Sequence, residues 1–228
     1  MKSTRQEVAG MKKIGVVLSG CGVRDGSEIH EAVLTLLAID RSGAKAVCFA
    51  PDIDCDEVNH LTMQETGAKR KVLVESARIA RGEVSDIRNA KASELDAVVF
   101  PGGFGAAKNL CSFGQKGADG VVQPDVLRLV KEMAAAKKPI CAICIAPSVV
   151  ALALGKELSP RLTIGNDPGT AGAISATGSK HVDCAADDIV VDREHLIVST
   201  PAYMLAGSIS EAARGIEKAV QATLELVK

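Results

Sequence analysis

Three stretches of the chain hold residue types that can do chemistry: SGCGVRDGSE at 19–28, PGGFGAAKN at 101–109 and CAICIAPS at 141–148. In the third, an apolar run stops at Cys144 and turns at once into a helix-forming segment opening on Pro147. That is the pattern of a nucleophile elbow, which holds one side chain exposed above a sheet. A thiol at a helix N-terminus gains from the dipole and from free N–H groups, so its pKa is expected to fall below the ordinary ~8.5. The plainer reading of Cys144 is a small core hydrophobe. Cys141 completes a C-x-x-C with it, but strand alternation buries Cys141, and no second pair of ligands stands at zinc-binding spacing. No metal is therefore expected.

PGGFG follows a short apolar run and offers consecutive, unobstructed backbone N–H groups. The N–H of Gly103, joined by that of Ile145, is a candidate oxyanion hole. The first stretch carries glycines at 20, 22 and 26, a G-x-G-x-x-x-G spacing that misses the dinucleotide fingerprint, so no nucleotide cofactor is expected. Glu28 sits where that stretch enters a helix. If it faces Cys144 across neighbouring strand ends, the two share a proton, burial raises the carboxyl pKa, and Glu28 serves as general acid or base. His30 reads as peripheral, and His60 and His195 as surface residues. His181 is a distant candidate whose blander role is a satisfied core histidine.

These loops need a frame. From residue 12 onward, short β-branched runs alternate with segments of helical period, which predicts βα units and a mainly parallel, buried sheet. Strands are expected at 12–19, 45–50, 96–100, 140–143, 161–165, 188–191 and 196–200, with a short extended piece at 84–87. Helices are expected at 28–41, 70–81, 124–137, 147–154 and 209–227. In the first helix, Ile29, Ala32, Val33, Leu36 and Leu37 are expected to face the core. In the second, Val72, Leu73, Ser76, Ala77 and Ala80 are. Residues 52–68 are polar and carry no clear period. Residues 1–11 read as a disordered extension and 12–228 as one domain.

Composition narrows the function. The chain has 228 residues, 47% of them hydrophobic, yet only one Tyr, four Phe and no Trp, so the core is built from Val, Ile, Leu and Ala. A net charge of −1 and so few aromatics argue against nucleic acid or a polybasic membrane contact. No run reaches the ~20 apolar residues of a membrane span, and the N-terminus has neither the apolar centre of a secretory signal nor the look of a transit peptide. Seven cysteines scattered over apolar stretches fit reduced thiols and a cytoplasmic location.

Taken together, the strings LSGCGV at 18–23, DGSEIHEAVLTLLAI at 25–39, PGGFGAAKNL at 101–110, CIAP at 144–147 and TPAYM at 200–204 resemble the ElbB-type proteins. These, also called enhancing lycopene biosynthesis proteins, lie within the PfpI and class I glutamine-amidotransferase-like superfamily. The likeness extends over 12–227. It implies a flavodoxin-like, three-layer α/β sandwich with a mainly parallel sheet, Cys144 at the elbow and Glu28 as its carboxyl partner. It also implies a homodimer and a cofactor-independent, lyase-type glyoxalase that turns a small carbonyl substrate, glyoxal, into glycolate. The alternative is a redox-sensing or ancillary protein with Cys144 as an oxidisable thiol. Ile145 and Ala146 follow the cysteine where other branches carry His, and Asn166 and Asp167 stand where several relatives place one, so a Cys-His-Glu hydrolase triad is not expected.

Overall fold

In the computed structural model, which describes residues 10–228, the chain begins with β1 (Lys13–Val17), α1 (Ile29–Arg41), β2 (Lys45–Ala50), β3 (Asp54–Asn59), β4 (Gln64–Lys71) and α2 (Val72–Ile79). It continues through β5 (Val84–Asp86), β6 (Ala97–Phe100), α3 (Phe104–Lys108), α4 (Phe113–Lys116), α5 (Pro124–Ala135), β7 (Ile140–Ile143) and α6 (Pro147–Leu158). It ends with β8 (Arg161–Leu162), α7 (Pro168–Ala176), β9 (Lys180–His181), β10 (Val190–Asp192), β11 (Ile197–Thr200) and α8 (Ile209–Leu226). The expected extension lies, for residues 1–9, outside the described residues.

Seven strands form one sheet in the order β10-β11-β7-β6-β1-β2-β5, with every pairing parallel except β10–β11. β6, β7 and β11 are buried at every position, which explains why they read as unbroken apolar runs. Alternation sends their side chains to two cores. Val98, Phe100, Ile140 and Ala142 meet Leu129 and Met133 of α5 and Val150 and Leu154 of α6. Ala97, Val99, Cys141 and Ile143 meet Ala32 and Ile39 of α1 and Ile216 and Val220 of α8. The result is helix, sheet, helix in three layers. β1 and β6 are neighbours, but the chain leaves β1 toward β2 on one side and β6 toward β7 on the other. That reversal opens a crevice at the carboxyl ends of the strands, where ligands bind in such sheets.

Three local expectations change. α1 turns Glu31, Ala32, Thr35, Ala38 and Ile39 inward and leaves Ile29, Val33 and Leu37 at 45%, 48% and 37% exposure, so its buried face is rotated from the apolar stripe. The polar stretch after residue 52 is a hairpin, β3 against β4, and it takes Arg70 and Lys71 from the helix expected at 70–81. α2 accordingly starts at Val72 and buries Glu75 beside Ser76. The strand expected at 161–165 shortens to β8, paired with β9, and α3, α4 and α7 fill stretches left unassigned.

Candidate active site

Cys144 follows β7 with φ +62°, a left-handed conformation that costs a residue with a side chain on the order of 1–3 kcal/mol. Two hydrogen bonds hold it there: Cys144 N–H to Thr200 O and Ala146 N–H to Ile143 O, both 2.9 Å. Pro147 then starts α6, where its missing N–H costs nothing. The turn aims the thiol at a cleft of about 490 Å³ between the loops after β1, β6, β7 and β11, lined by Glu28, Gly103, Cys144, Ile145 and Tyr203 among others. The backbone N–H groups of Gly103 and Ile145 lie near enough to the sulfur to favour its charged form.

The carboxyl against the thiol belongs to Glu31. The sequence reading assigned this place to Glu28, which instead sits just outside α1 and caps it, its Oε2 accepting Glu31 N–H at 2.7 Å. One turn on, the Glu31 side chain leans back toward the helix N-terminus, as helical side chains do, and so reaches the strand ends. Glu31 is fully buried; its Oε1 accepts Tyr203 N–H at 3.1 Å. Its Oε2 lies beside Gly102 and Cys144, and among the described residues no donor meets it in good geometry. Loss of hydration pushes the Glu31 carboxyl up to about 8, with the Glu28 charge adding to the effect and the Tyr203 N–H opposing it. A protonated Glu31 can complete Oε2 by donating to the sulfur.

Burial, and after it the Glu31 charge, also pushes the Cys144 thiol well up, against the pull of the Gly103 and Ile145 N–H groups. The expected lowering is thus reversed: α6 begins three residues beyond the sulfur, and exclusion of water outweighs its dipole. Each free proton in the pair is therefore held tightly until a substrate or a base takes it.

Glycines let the loops close on this centre. A Cβ on Gly102 would overlap that of Cys144 and lie 2.5 Å from Glu31 Oε2 and 2.9 Å from Ile143 O. Gly103, at φ +94°, packs its α-carbon onto the backbone of Gly26, Ser27 and Glu28. Asn109 ties the same loop down through Ser19 O at 2.8 Å and Asp25 O at 2.9 Å. Gly102→Ala should consequently lower stability by about 2 kcal/mol or more, because no flexible neighbour can give way. Urea unfolding midpoints of the two proteins measure this.

The histidines divide. Exposed His30 is at the cleft rim, with Nδ1 2.9 Å from the Tyr203 hydroxyl and 4.0 Å from Glu28 Oε1. His60 Nε2 accepts Arg24 N–H at 3.3 Å and so ties the β3–β4 hairpin to the first loop. His195 pairs with buried Asp192 at 2.9 Å. His181 Nε2 accepts Ile164 N–H at 3.3 Å and is held below its ordinary pKa by burial; it does not line the cleft. Asp167, beside Asn166, caps α7 through Thr170 N–H at 2.7 Å. Sequence reasoning missed Glu31 and Tyr203. The TPAYM string was the signal for the second: Thr200 O holds the elbow and Tyr203 N–H holds the buried carboxylate.

A strained cysteine over a parallel sheet with a buried Glu beneath it invites comparison with known proteins, and residues 23–206 match the DJ-1/PfpI family. The chain belongs to that family. Among the relatives of this DJ-1/PfpI protein, the human glutamine amidotransferase-like class 1 domain-containing protein 3, mitochondrial, is 42% identical over 226 residues, covering 94% of this chain and 83% of that one. The zebrafish (Danio rerio) ES1 protein, mitochondrial, is 33% identical, covering 86% of this chain and 78% of its own. An Ehrlichia chaffeensis isoprenoid biosynthesis protein with an amidotransferase-like domain, known as a crystal structure, superposes with a TM-score of 0.89 at 39% identity, over 95% of this chain and all of the other (100%). Drosophila melanogaster DJ-1beta shares the fold at a TM-score of 0.56 and 17% identity, over 95% of each chain. Among the described residues no helix is long and apolar enough to cross a membrane. The two curated relatives are named mitochondrial, so their names lend no support to the cytoplasmic location expected from the cysteines.

Proposed function

We propose that this chain is a glutathione-independent glyoxalase of the ElbB type, converting glyoxal, the simplest 2-oxoaldehyde, to glycolate. The observation that carries the reading is the contact of the Cys144 thiol with the buried Glu31 carboxyl, under two backbone N–H groups at the wall of a cleft. In the reactive form the pair holds one proton, on the Cys144 thiol, because Glu31 is the first of the two to ionise. The Cys144 sulfur adds to one aldehyde carbon as its proton passes to Glu31, the C=O π pair moves to oxygen, and Glu31 delivers that proton there to give a hemithioacetal. Glu31, again a carboxylate, takes the C–H proton of that carbon and returns it to the second carbon through an enediol, while the hydroxyl proton passes from the first oxygen to the second, leaving a thioester of glycolic acid. Water cleaves the thioester to glycolate and frees the thiol. Glu28, in the cleft wall, is placed to accept the proton of that water.

The oxidisable-thiol alternative needs a resting thiolate. A thiol pushed up by burial and held beside a carboxyl supplies little of it, which favours turnover, where the proton moves as substrate arrives.

Glyoxal in D₂O tests the proposal. NMR should show glycolate formed faster than with free thiol at equal concentration, with deuterium at its methylene carbon to the extent that the Glu31 proton exchanges between the two transfers. Absence of glycolate above the free-thiol rate overturns it.

A further inference from the structure

The cleft is larger and more apolar than glyoxal requires. It encloses about 490 Å³, whereas a dialdehyde of four heavy atoms needs the space of roughly four waters at ~30 Å³ each. Its polar side chains with ionisable groups, Cys144, Glu28 and Tyr203, are joined into one region by Glu31 and His30. The rest of the wall is mostly apolar, with Val23, Phe104 of α3, Phe113 of α4, Ala173 of α7 and Met204, and it adds two uncharged polar residues, Gln115 and Thr170. Among the described residues no Lys, Arg or His lines the space, so nothing there would pair with a phosphate or carboxylate on the ligand. An apolar, half-open cavity with a few convergent polar groups at one region binds a body of the same character.

We infer that the preferred substrate is an uncharged 2-oxoaldehyde carrying an apolar body of about six to eight carbons, with glyoxal as its smallest member. The inference rests on the reading of Cys144 as the nucleophile that meets the carbonyl. The aldehyde carbon bonds to the sulfur while the substituent on the second carbon extends along Phe104, Phe113 and Met204. The steps and the atom balance are those given for glyoxal, and the product is the corresponding 2-hydroxy acid. Each buried methylene raises affinity about fourfold, so a body of this size should improve kcat/KM at least about tenfold.

Two measurements on the full chain separate this inference from the glyoxalase reading. In the first, alkylation of Cys144 by iodoacetamide and by N-benzyl iodoacetamide is followed by peptide mass spectrometry, each rate divided by that for free N-acetylcysteine. A normalised preference of about tenfold for the benzyl reagent is expected, and Ala173→Leu, which fills the apolar wall, should reduce that preference. Equal or slower reaction of the benzyl reagent overturns the inference whatever the enzyme turns over. In the second, kcat/KM is compared for glyoxal, methylglyoxal and hexylglyoxal. A rise along the series supports the inference; turnover of glyoxal without a rise overturns it and leaves the glyoxalase reading standing. A benzyl preference with no turnover of any member overturns the glyoxalase reading and with it the 2-oxoaldehyde substrate, leaving an apolar ligand of another class.

Discussion

Replacing Cys144 with serine should reduce 2-hydroxy acid formation at least about a thousandfold with the fold intact. The hydroxyl is close in size to the thiol, accepts the same left-handed turn, and leaves the Thr200 and Ile143 hydrogen bonds in place. What is lost is the nucleophile: among the described residues a serine hydroxyl has no neighbouring histidine to take its proton, since His30 sits at the rim and His181 is bonded to Ile164 N–H away from the cleft. Product formation from glyoxal and from a larger 2-oxoaldehyde, read beside thermal unfolding of both proteins, measures the effect. Activity retained in the serine protein would remove Cys144 from the mechanism.

The second large effect belongs to Glu31→Gln, and it has two parts. An amide can still fill the pocket and accept Tyr203 N–H, but it carries no proton between carbons, so product formation should fall by about 10²–10⁴-fold. Addition to the thiol needs less help than the carbon-to-carbon transfer, so mass spectrometry should catch the hemithioacetal mass on the peptide bearing Cys144. For the wild type, kcat/KM should rise with pH through about 8, where the doubly protonated pair loses its first proton.

The same shift governs stability. The folded carboxyl holds its proton up to about 8 while the unfolded one releases it near its ordinary 4.5. Between those values the native state binds the extra proton, so the stabilisation is full below pH 4.5 and is lost as pH rises to about 8. At about 1.4 kcal/mol per unit the loss is on the order of several kcal/mol. Glu31→Gln should flatten this slope, which urea unfolding midpoints at pH 5, 6, 7 and 8 would show; an unchanged slope would mean that Glu31 is ionised in the folded protein at all of these values.

How much of this was legible in the chain varies from element to element. The buried strands were, because β6, β7 and β11 need only continuous apolar character and a turn signal at each end, both local properties. The β3–β4 hairpin was not. Its strands are held by cross-strand pairs of opposite charge, Asp54 with Lys71, Asp56 with Lys69 and Glu57 with Arg70, and both faces stay mostly wet, so no apolar alternation marks them. α1 was found to within a residue but its face was misassigned. Apolar periodicity selects the side with Ile29, Val33 and Leu37, whereas the fold buries Glu31 and Thr35.

That rotation separates what sequence alone determined from what tertiary structure decided. A strand that stops at one cysteine and restarts as a helix fixes Cys144 on an elbow with Ile145 N–H after it, and PGG after a buried strand leaves the Gly103 N–H unobstructed, because both are consequences of backbone sterics over a few consecutive residues. Which carboxyl meets the thiol is set by how α1 rolls against β1, β2 and α8. That roll is a sum of contacts between residues far apart in the chain, and it chose Glu31 over Glu28. The direction of the thiol pKa was decided the same way, since a helix N-terminus can be read from the chain, but the exclusion of water that outweighs it exists only once the loops after β1, β6, β7 and β11 have closed around the sulfur.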